Sequence, residues 1–510
     1  MTRSKRFIAS LLSGYGSIAA NIVFTIASIP LALEYLDKEH FGLWALAAQI
    51  NGYLILIDLG MNGAVSRFIA DHKDDVNGGE YGSHLLTGGM VFAIQGVLIA
   101  GVGIGFAWFA PALFSIPSGL AGDFNNLLML LAGMSGLSVA FRAIGSPLWA
   151  FQRNDIINHL STLGVFVNLT LLWFGFSRGW GVIGFAIAQI PMLIVSPVVT
   201  AWICRRNGYY PSAGYWGKVS LSIFMRTFHY GRDVLMVNVG SQLINASQIM
   251  IISRWINLDA AAIFAVSTKV YSMAMMLIAN PIAASAPGLT EMHVRGEQHR
   301  FIQRYWDLIA LVLAASSIIA TGLAIGNRSF VSLWTNGTIH WPWACDVILA
   351  LLIIMRNLNG CFLNLFGLTK DWRPVRYIYL AEGLLFVPLA IILSKPYGMT
   401  GILLASLIAH VFATTTLSAR AAVRIIGSPM RIYKSLATSV GLIVAATTVS
   451  YVGVRQSASP LAMVITAASV SLLFLVVAWQ MILPQDFRRE AIVRFANASI
   501  KLKMILNRPF

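Results

Sequence analysis

Fourteen stretches of about twenty predominantly apolar residues follow one another along this chain, and that succession leaves few folds open. Each is long enough to cross a bilayer as a helix, the conformation that satisfies its backbone groups internally. The stretches lie at 8–33, 42–69, 85–110, 125–150, 156–177, 181–203, 231–256, 260–287, 304–326, 345–368, 375–394, 398–421, 434–454 and 460–483. No connection between them is long enough for a soluble domain. Only 11% of the 510 residues are charged and 57% are hydrophobic, where a soluble chain carries about 25% charged residues. The chain reads as an all-α polytopic membrane protein with about 14 transmembrane helices.

Charge distribution orients the helices. The N-terminus, MTRSKRF, is basic, but no small-residue cleavage site follows the first apolar run, which reads as a retained helix. With the N-terminus in the cytoplasm, 27 of the 36 Lys and Arg fall on the cytoplasmic side. Six fall outside (Lys38, Arg178, Arg254, Arg328, Lys395, Arg455) and three lie within helices (Arg142, Lys269, Arg356). That asymmetry follows the positive-inside rule and places both termini in the cytoplasm. It also explains the net charge of +16 without nucleic acid, because the basic residues form short clusters between apolar runs. Cys204, Cys345 and Cys361 have no metal-ligand spacing and read as small apolar fillers.

The sequence also repeats. GWGVIGFAIAQI (179–190) matches PYGMTGILLASL (396–407), aligning Gly181 and Gly184 with Gly398 and Gly401. Tyr15-Gly16 pairs with Tyr230-Gly231 at nearly the same offset, and Gln152–Asp155 after the fourth span pairs with Thr369–Asp371 after the tenth. The expected organisation is an N-terminal six-helix bundle (1–203), an interfacial connector (204–230) and a second six-helix bundle (231–425). Two further transmembrane helices (426–485) and a basic cytoplasmic tail (486–510) follow. Repeats of even helix number share one orientation, so a pseudo-two-fold along the membrane normal and a cavity between the halves are expected.

LALLIIMRNLNGCFLN (349–364) carries an arginine into an apolar run, where a charge costs about 2.5–3.5 kcal/mol at the bilayer centre. Arg356, Asn359, Gly360, Asn364 and Gly367 share one helical face, and Arg142, Gly145, Ser146, Trp149 and Arg153 form its counterpart in the other half. Further polar stripes run through Asn21 in the first span, Asn238, Ser241 and Asn245 in the seventh, and Asn51, Asp58, Asn62 and Ser66 in the second, which ends near Arg67. The eighth span has Lys269. Arg142, Arg356, Lys269, Asn359, Asn364, Asn21 and Asn245 are the candidate substrate-binding residues, with Asp58 and Arg67 candidates for coupling. Each has a structural alternative: helix–helix hydrogen bonding for Ser and Asn, a cytoplasmic anchor for Arg67, a basic partner for Asp58, snorkelling for Lys269. Arginine suits phosphate, since it stays charged and binds through a planar fork. No nucleophile elbow, paired carboxylates, metal-ligand cluster or GxxxxGK[ST] loop is legible, so no enzyme, cofactor or metal is expected.

LEYLDKEHFGLWALAAQINGYLILIDLGMNGAVSRFIADH (33–72), with its Tyr35-Leu36…Phe41-Gly42-Leu43-Trp44 and Asp58-Leu59-Gly60-Met61…Ser66-Arg67 patterns, resembles polysaccharide flippases of the multidrug/oligosaccharidyl-lipid/polysaccharide exporter superfamily. The resemblance extends more faintly over residues 7–425. It implies a two-bundle, alternating-access transporter of the bacterial inner membrane. The implied substrate is undecaprenyl-pyrophosphate-linked oligosaccharide, moved from the cytoplasmic to the periplasmic leaflet for O-antigen, exopolysaccharide or capsule synthesis. Membrane lipid, a polysaccharide polymerase and chain-length proteins are the implied partners. Wzx-type members are often described with twelve helices, so the last two spans depart from the pattern. The alternatives are a multidrug exporter of the same superfamily, or a membrane saccharide polymerase or ligase.

Overall fold

Runs of Leu, Ile, Val and Ala keep every backbone hydrogen bond within the segment, and the chain is helical through almost all of them. The computed structural model describes residues 3–368, 373–427, 436–446, 448, 452, 459–483 and 488–489. Its helices are α1 (Arg3–Tyr35), α2 (Lys38–Leu54), α3 (Met61–Asp71), α4 (Glu80–Ala107), α5 (Ala110–Leu113), α6 (Ser118–Ala150), α7 (Asn154–Ser177), α8 (Gly184–Ile187) and α9 (Ile190–Arg206). They continue as α10 (Leu221–Trp255), α11 (Leu258–Ser267), α12 (Lys269–Val294), α13 (Gln298–Trp334), α14 (Trp343–Leu368), α15 (Arg373–Ala409), α16 (Thr416–Ile426), α17 (Leu436–Ala446) and α18 (Pro460–Met481). No strand occurs among the described residues.

Twelve helical stretches among the described residues are long and apolar enough to cross a membrane. One, Pro374–Ile426, has 53 residues and contains both expected spans 375–394 and 398–421. Gly398, with φ 55° and ψ −135°, breaks it between them. Gly181, its sequence-repeat counterpart, has φ 56°, so the matched segments share a backbone turn that glycine adopts without strain. The expected span 434–454 is described chiefly as α17; the tail 486–510, apart from 488–489, and Lys370 and Asp371 lie outside the described residues.

One expectation needs correction. The second span is not one helix over 42–69: α2 stops at Leu54, a 3-10 turn covers Ile55–Asp58, Leu59 and Gly60 take left-handed φ of 53° and 69°, and α3 starts afresh at Met61. The polar stripe from Asn51 to Ser66 therefore does not lie on one helical face. Between α9 and α10 the connector is irregular, because Pro211 and the positive-φ Gly208, Gly214 and Gly217 interrupt it. It is strapped down by hydrogen bonds. Tyr210 donates to the Ile144 carbonyl at 2.8 Å, and the Ser212, Lys218 and Ser220 amides donate to Asn77 Oδ1, Ser83 Oγ and Thr87 Oγ1 at 2.9–3.1 Å.

Packing divides the chain into two compact units. The first comprises Met1–Val266, Trp334–Ile339 and Tyr379–Ile402; the second comprises Ser267–Leu333, His340–Ile378 and Leu403–Phe510. In the first, α4 packs along α6, α1 along α7, and α10 against α2 and α3. Gly96 and Gly136 mark the α4–α6 crossing: a Cβ built on either would run into the carbonyl oxygen of the other. Small residues allow such approach between membrane helices. Gly136→Val should force the helices apart at a cost of about 1–3 kcal/mol, read as a lower melting temperature in size-exclusion profiles of heated, detergent-solubilised protein.

In the second unit α12 and α14 run parallel. Asn357 Nδ2 meets Met275 Sδ at 3.6 Å, and Asn364 Nδ2 meets the Ile282 carbonyl at 3.4 Å, the same offset at two levels. Asp346, 2% exposed, accepts hydrogen bonds from Asn327 Nδ2 at 2.6 Å and Trp341 Nε1 at 2.7 Å. This buried acid was not among the sequence candidates.

Candidate functional site

The break between α2 and α3 exposes backbone groups that an uninterrupted helix would bond internally, and side chains take them up. Gln95, 4% exposed on α4, donates from Nε2 to the Asp58 carbonyl at 2.8 Å. Gly60 lets this turn pass close to the Gly231 carbonyl of α10, where a Cβ would collide. The turn thereby holds the Asp58 carboxylate toward α6, 3.5 Å from Arg142 Nη1. The two side chains are 13% and 30% exposed. At that distance the contact is an ion pair rather than a hydrogen bond, and Asp58 Oδ1 is buried without a hydrogen-bond partner. The guanidinium has Asp58 as its ion-pair partner and donates no hydrogen bond among the described residues.

Arg142 lines a cavity of about 360 Å³ with Asn62, Ser66, Ser138, Trp149 and Ser196. A second cavity of about 380 Å³, lined by Asn21, Asn51, Asn168 and Gln189, shares Ser138, Met192 and Leu193 with the first. Together they form a recess within the first unit lined by both polar and apolar side chains, of a size that holds small ligands or a headgroup. Asn168 and Gln189 escaped notice in the sequence, since a lone amide in an apolar run carries no periodic signal.

The other candidates are distributed as follows. Asn21 borders the second cavity while its amide donates to the Ser17 carbonyl at 2.8 Å. Arg67 is exposed on α3, one residue beyond Ser66. Asn245 is exposed on α10 and turns its amide back to the Ser241 carbonyl at 2.9 Å. Arg356, Lys269, Asn359 and Asn364 belong to the second unit. Arg356 donates from Nη2 to Ser406 Oγ at 3.0 Å. Lys269 is half-buried in the first turn of α12 and makes no hydrogen bond or ion pair to another described residue. From the α12–α14 pairing it lies about five residues, roughly 7–8 Å, nearer the start of its helix than the level of Arg356.

Asn359 does not present an amide to a cavity. It is 1% exposed, its Nδ2 meets His410 Nε2 at 2.7 Å and Thr415 Oγ1 at 2.9 Å, and its Oδ1 accepts from Ser418 at 2.8 Å. His410 and Thr415 bound a π-helical turn, His410–Thr415, and Asn359 bolts α14 to it. Helical periodicity had placed Asn359 beside Arg356, but packing of α14 against residues 406–418 turns it inward.

A family model described as polysaccharide biosynthesis protein matches residues 7–293. A comparison with curated protein sequences finds no match. Among solved structures, an inward-facing multidrug resistance MATE family transporter of the MOP superfamily is similar with TM-score 0.70 at 12% identity, over 80% of this chain and 94% of that one. Lipid II flippase MurJ in an inward closed conformation is similar with TM-score 0.65 at 14% identity, over 92% of this chain and 100% of that one. A MOP superfamily transporter from Pyrococcus furiosus, described as having a binding pocket of reverse polarity, is similar with TM-score 0.59 at 14% identity, over 82% and 95% of the two chains. At these identities the likeness is one of fold.

Proposed function

This chain belongs to the polysaccharide biosynthesis protein family, and from that premise we propose that it is a flippase that carries undecaprenyl-pyrophosphate-linked oligosaccharide from the cytoplasmic to the periplasmic leaflet of a bacterial inner membrane. The observation that carries this reading is the guanidinium of Arg142, ion-paired with Asp58 but donating no hydrogen bond among the described residues, in a recess whose other polar lining is Asn, Ser, Thr and Gln. A pyrophosphate crossing the hydrocarbon loses its hydration, and a bidentate arginine replaces part of it. The amides and hydroxyls supply donors and acceptors to sugar hydroxyls, while the polyprenyl tail stays in lipid.

Asp58 gives the cycle its coupling. An incoming pyrophosphate competes with the carboxylate for Arg142, and the returning carboxylate helps displace the anion when it leaves. The membrane potential, negative inside, favours outward movement of the anionic headgroup. Arg67, exposed on α3, adds attraction for the entering headgroup, and Arg356, Lys269 and Asn364 of the second unit are further candidates for headgroup binding. The polymerase and chain-length proteins would receive the product. A cationic drug would meet an arginine where it needs an acid, which places the exporter reading second.

The test is a strain lacking the gene. Its lipid-linked saccharides should accumulate, undecaprenyl-pyrophosphate-linked, in the cytoplasmic leaflet. Accumulation in the periplasmic leaflet would mean a lost polymerase or ligase step, and a normal lipid pool with new sensitivity to cationic dyes would mean a drug exporter.

A further inference from the structure

His72 closes the C-terminal end of α3, and Glu80 and His84 stand one turn apart on the first two turns of α4. One ligand atom from each lies within 4.8 Å of the others. The protonation pattern of this cluster is informative. His72 Nδ1 is 2.9 Å from the Phe68 carbonyl; a carbonyl only accepts, so Nδ1 carries the proton and Nε2 of the neutral ring presents a lone pair. That lone pair faces Glu80 Oε2 at 3.2 Å. Two acceptors at that distance repel unless a cation lies between them. A proton would answer the His72–Glu80 contact alone. His84 Nε2, however, is also buried without a hydrogen-bond partner, on a residue 3% exposed. Its ring stacks on His72 with centroids 4.6 Å apart and on Phe68 at 5.8 Å, which holds it in place.

We propose that His72, Glu80 and His84 bind a divalent transition-metal ion of the Zn²⁺ type. Two imidazole nitrogens and a carboxylate are a donor set such ions favour, with a fourth position left for water. Metal–ligand bonds of about 2.0–2.2 Å put neighbouring donors about 3.3–3.5 Å apart. The His72–Glu80 separation of 3.2 Å is close to that spacing, and the exposed Glu80 side chain has room to adjust. The Phe68 carbonyl on His72 Nδ1 orients the ring as outer-shell hydrogen bonds do for metal-bound histidines. An ion here ties α3, whose Asn62 and Ser66 line the recess, to α4, whose Gln95 holds the Asp58 turn. It would slow rearrangement of the broken helix without touching the transported headgroup.

The experiment uses the full chain without a polyhistidine tag, stripped with chelator in detergent and dialysed against Zn²⁺, with bound metal measured by elemental analysis. About one ion per chain is expected, and Co²⁺ in its place should show the visible absorption of a four-coordinate site. His84→Ala should weaken binding on the order of 100-fold or more. Glu80→Gln, at an exposed position where the fold is not at stake, should weaken it as well and change the Co²⁺ spectrum. No stoichiometric uptake by the wild-type chain, or uptake that survives both substitutions, would overturn the proposal.

Discussion

Arg142→Ala is expected to reduce transport by on the order of 100-fold or more while the protein still reaches the membrane. Truncating one partner of a desolvated charged contact costs about 2–5 kcal/mol, and about 1.4 kcal/mol is a factor of ten. The substitution also strands Asp58, whose side chain is only 13% exposed, so some of the damage is to stability. A second variant separates the two effects. Asp58→Asn combined with Arg142→Gln replaces the ion pair by neutral amides and leaves no unpaired charge. It should melt close to wild type and still fail to transport. Asp58→Asn alone leaves the guanidinium without its competitor, so the headgroup should bind more tightly and leave more slowly: KM and turnover should both fall. The assay is uptake of fluorescent lipid-linked oligosaccharide in proteoliposomes. Full activity of Arg142→Ala, once its incorporation is verified, would exclude this residue from the headgroup site.

Asn359→Leu should do its harm elsewhere. Asn359 bonds His410, Thr415 and Ser418 from a position 1% exposed. Leucine leaves these groups without their partner, at about 1–3 kcal/mol for each one that finds no other. The expected result is a large drop in melting temperature and in yield of monodisperse protein. Asn364→Ala, which gives up a single 3.4 Å contact to the Ile282 carbonyl, should leave stability near wild type. Equal thermal stability of the two variants would mean that Asn359 does not hold α14 to the π-helical turn.

These two residues show how far a sequence can be read. Arg356, Asn359 and Asn364 share a helical face by periodicity, and that much is dictated by 3.6 residues per turn. Which neighbour covers that face is not a property of the helix. Asn359 therefore reads as a ligand group by periodicity, while its amide is taken up by His410, Thr415 and Ser418. Asp58 was legible as an intramembrane acid, and a basic partner was one of its two readings. That the partner is Arg142, 84 positions later, follows from the turn at Leu59-Gly60, whose left-handed φ values no hydropathy pattern announces. His72, Glu80 and His84 gave no signal at all, because their spacing matches no metal motif and only the return of the chain from α3 into α4 brings their donor atoms within 4.8 Å.

By itself the sequence determined what the solvent demands: apolar runs long enough to cross a bilayer, the repeated glycine turn at Gly181 and Gly398, and the few charges that a membrane helix carries at a cost. Those depend on local composition, since a lipid-embedded backbone must satisfy itself. Tertiary structure decided the partners: Arg142 with Asp58, Asn359 with His410, the connector with α4 and α6. Such contacts join residues far apart in sequence through helix crossings and breaks, and their geometry depends on how neighbouring helices pack rather than on any one of them.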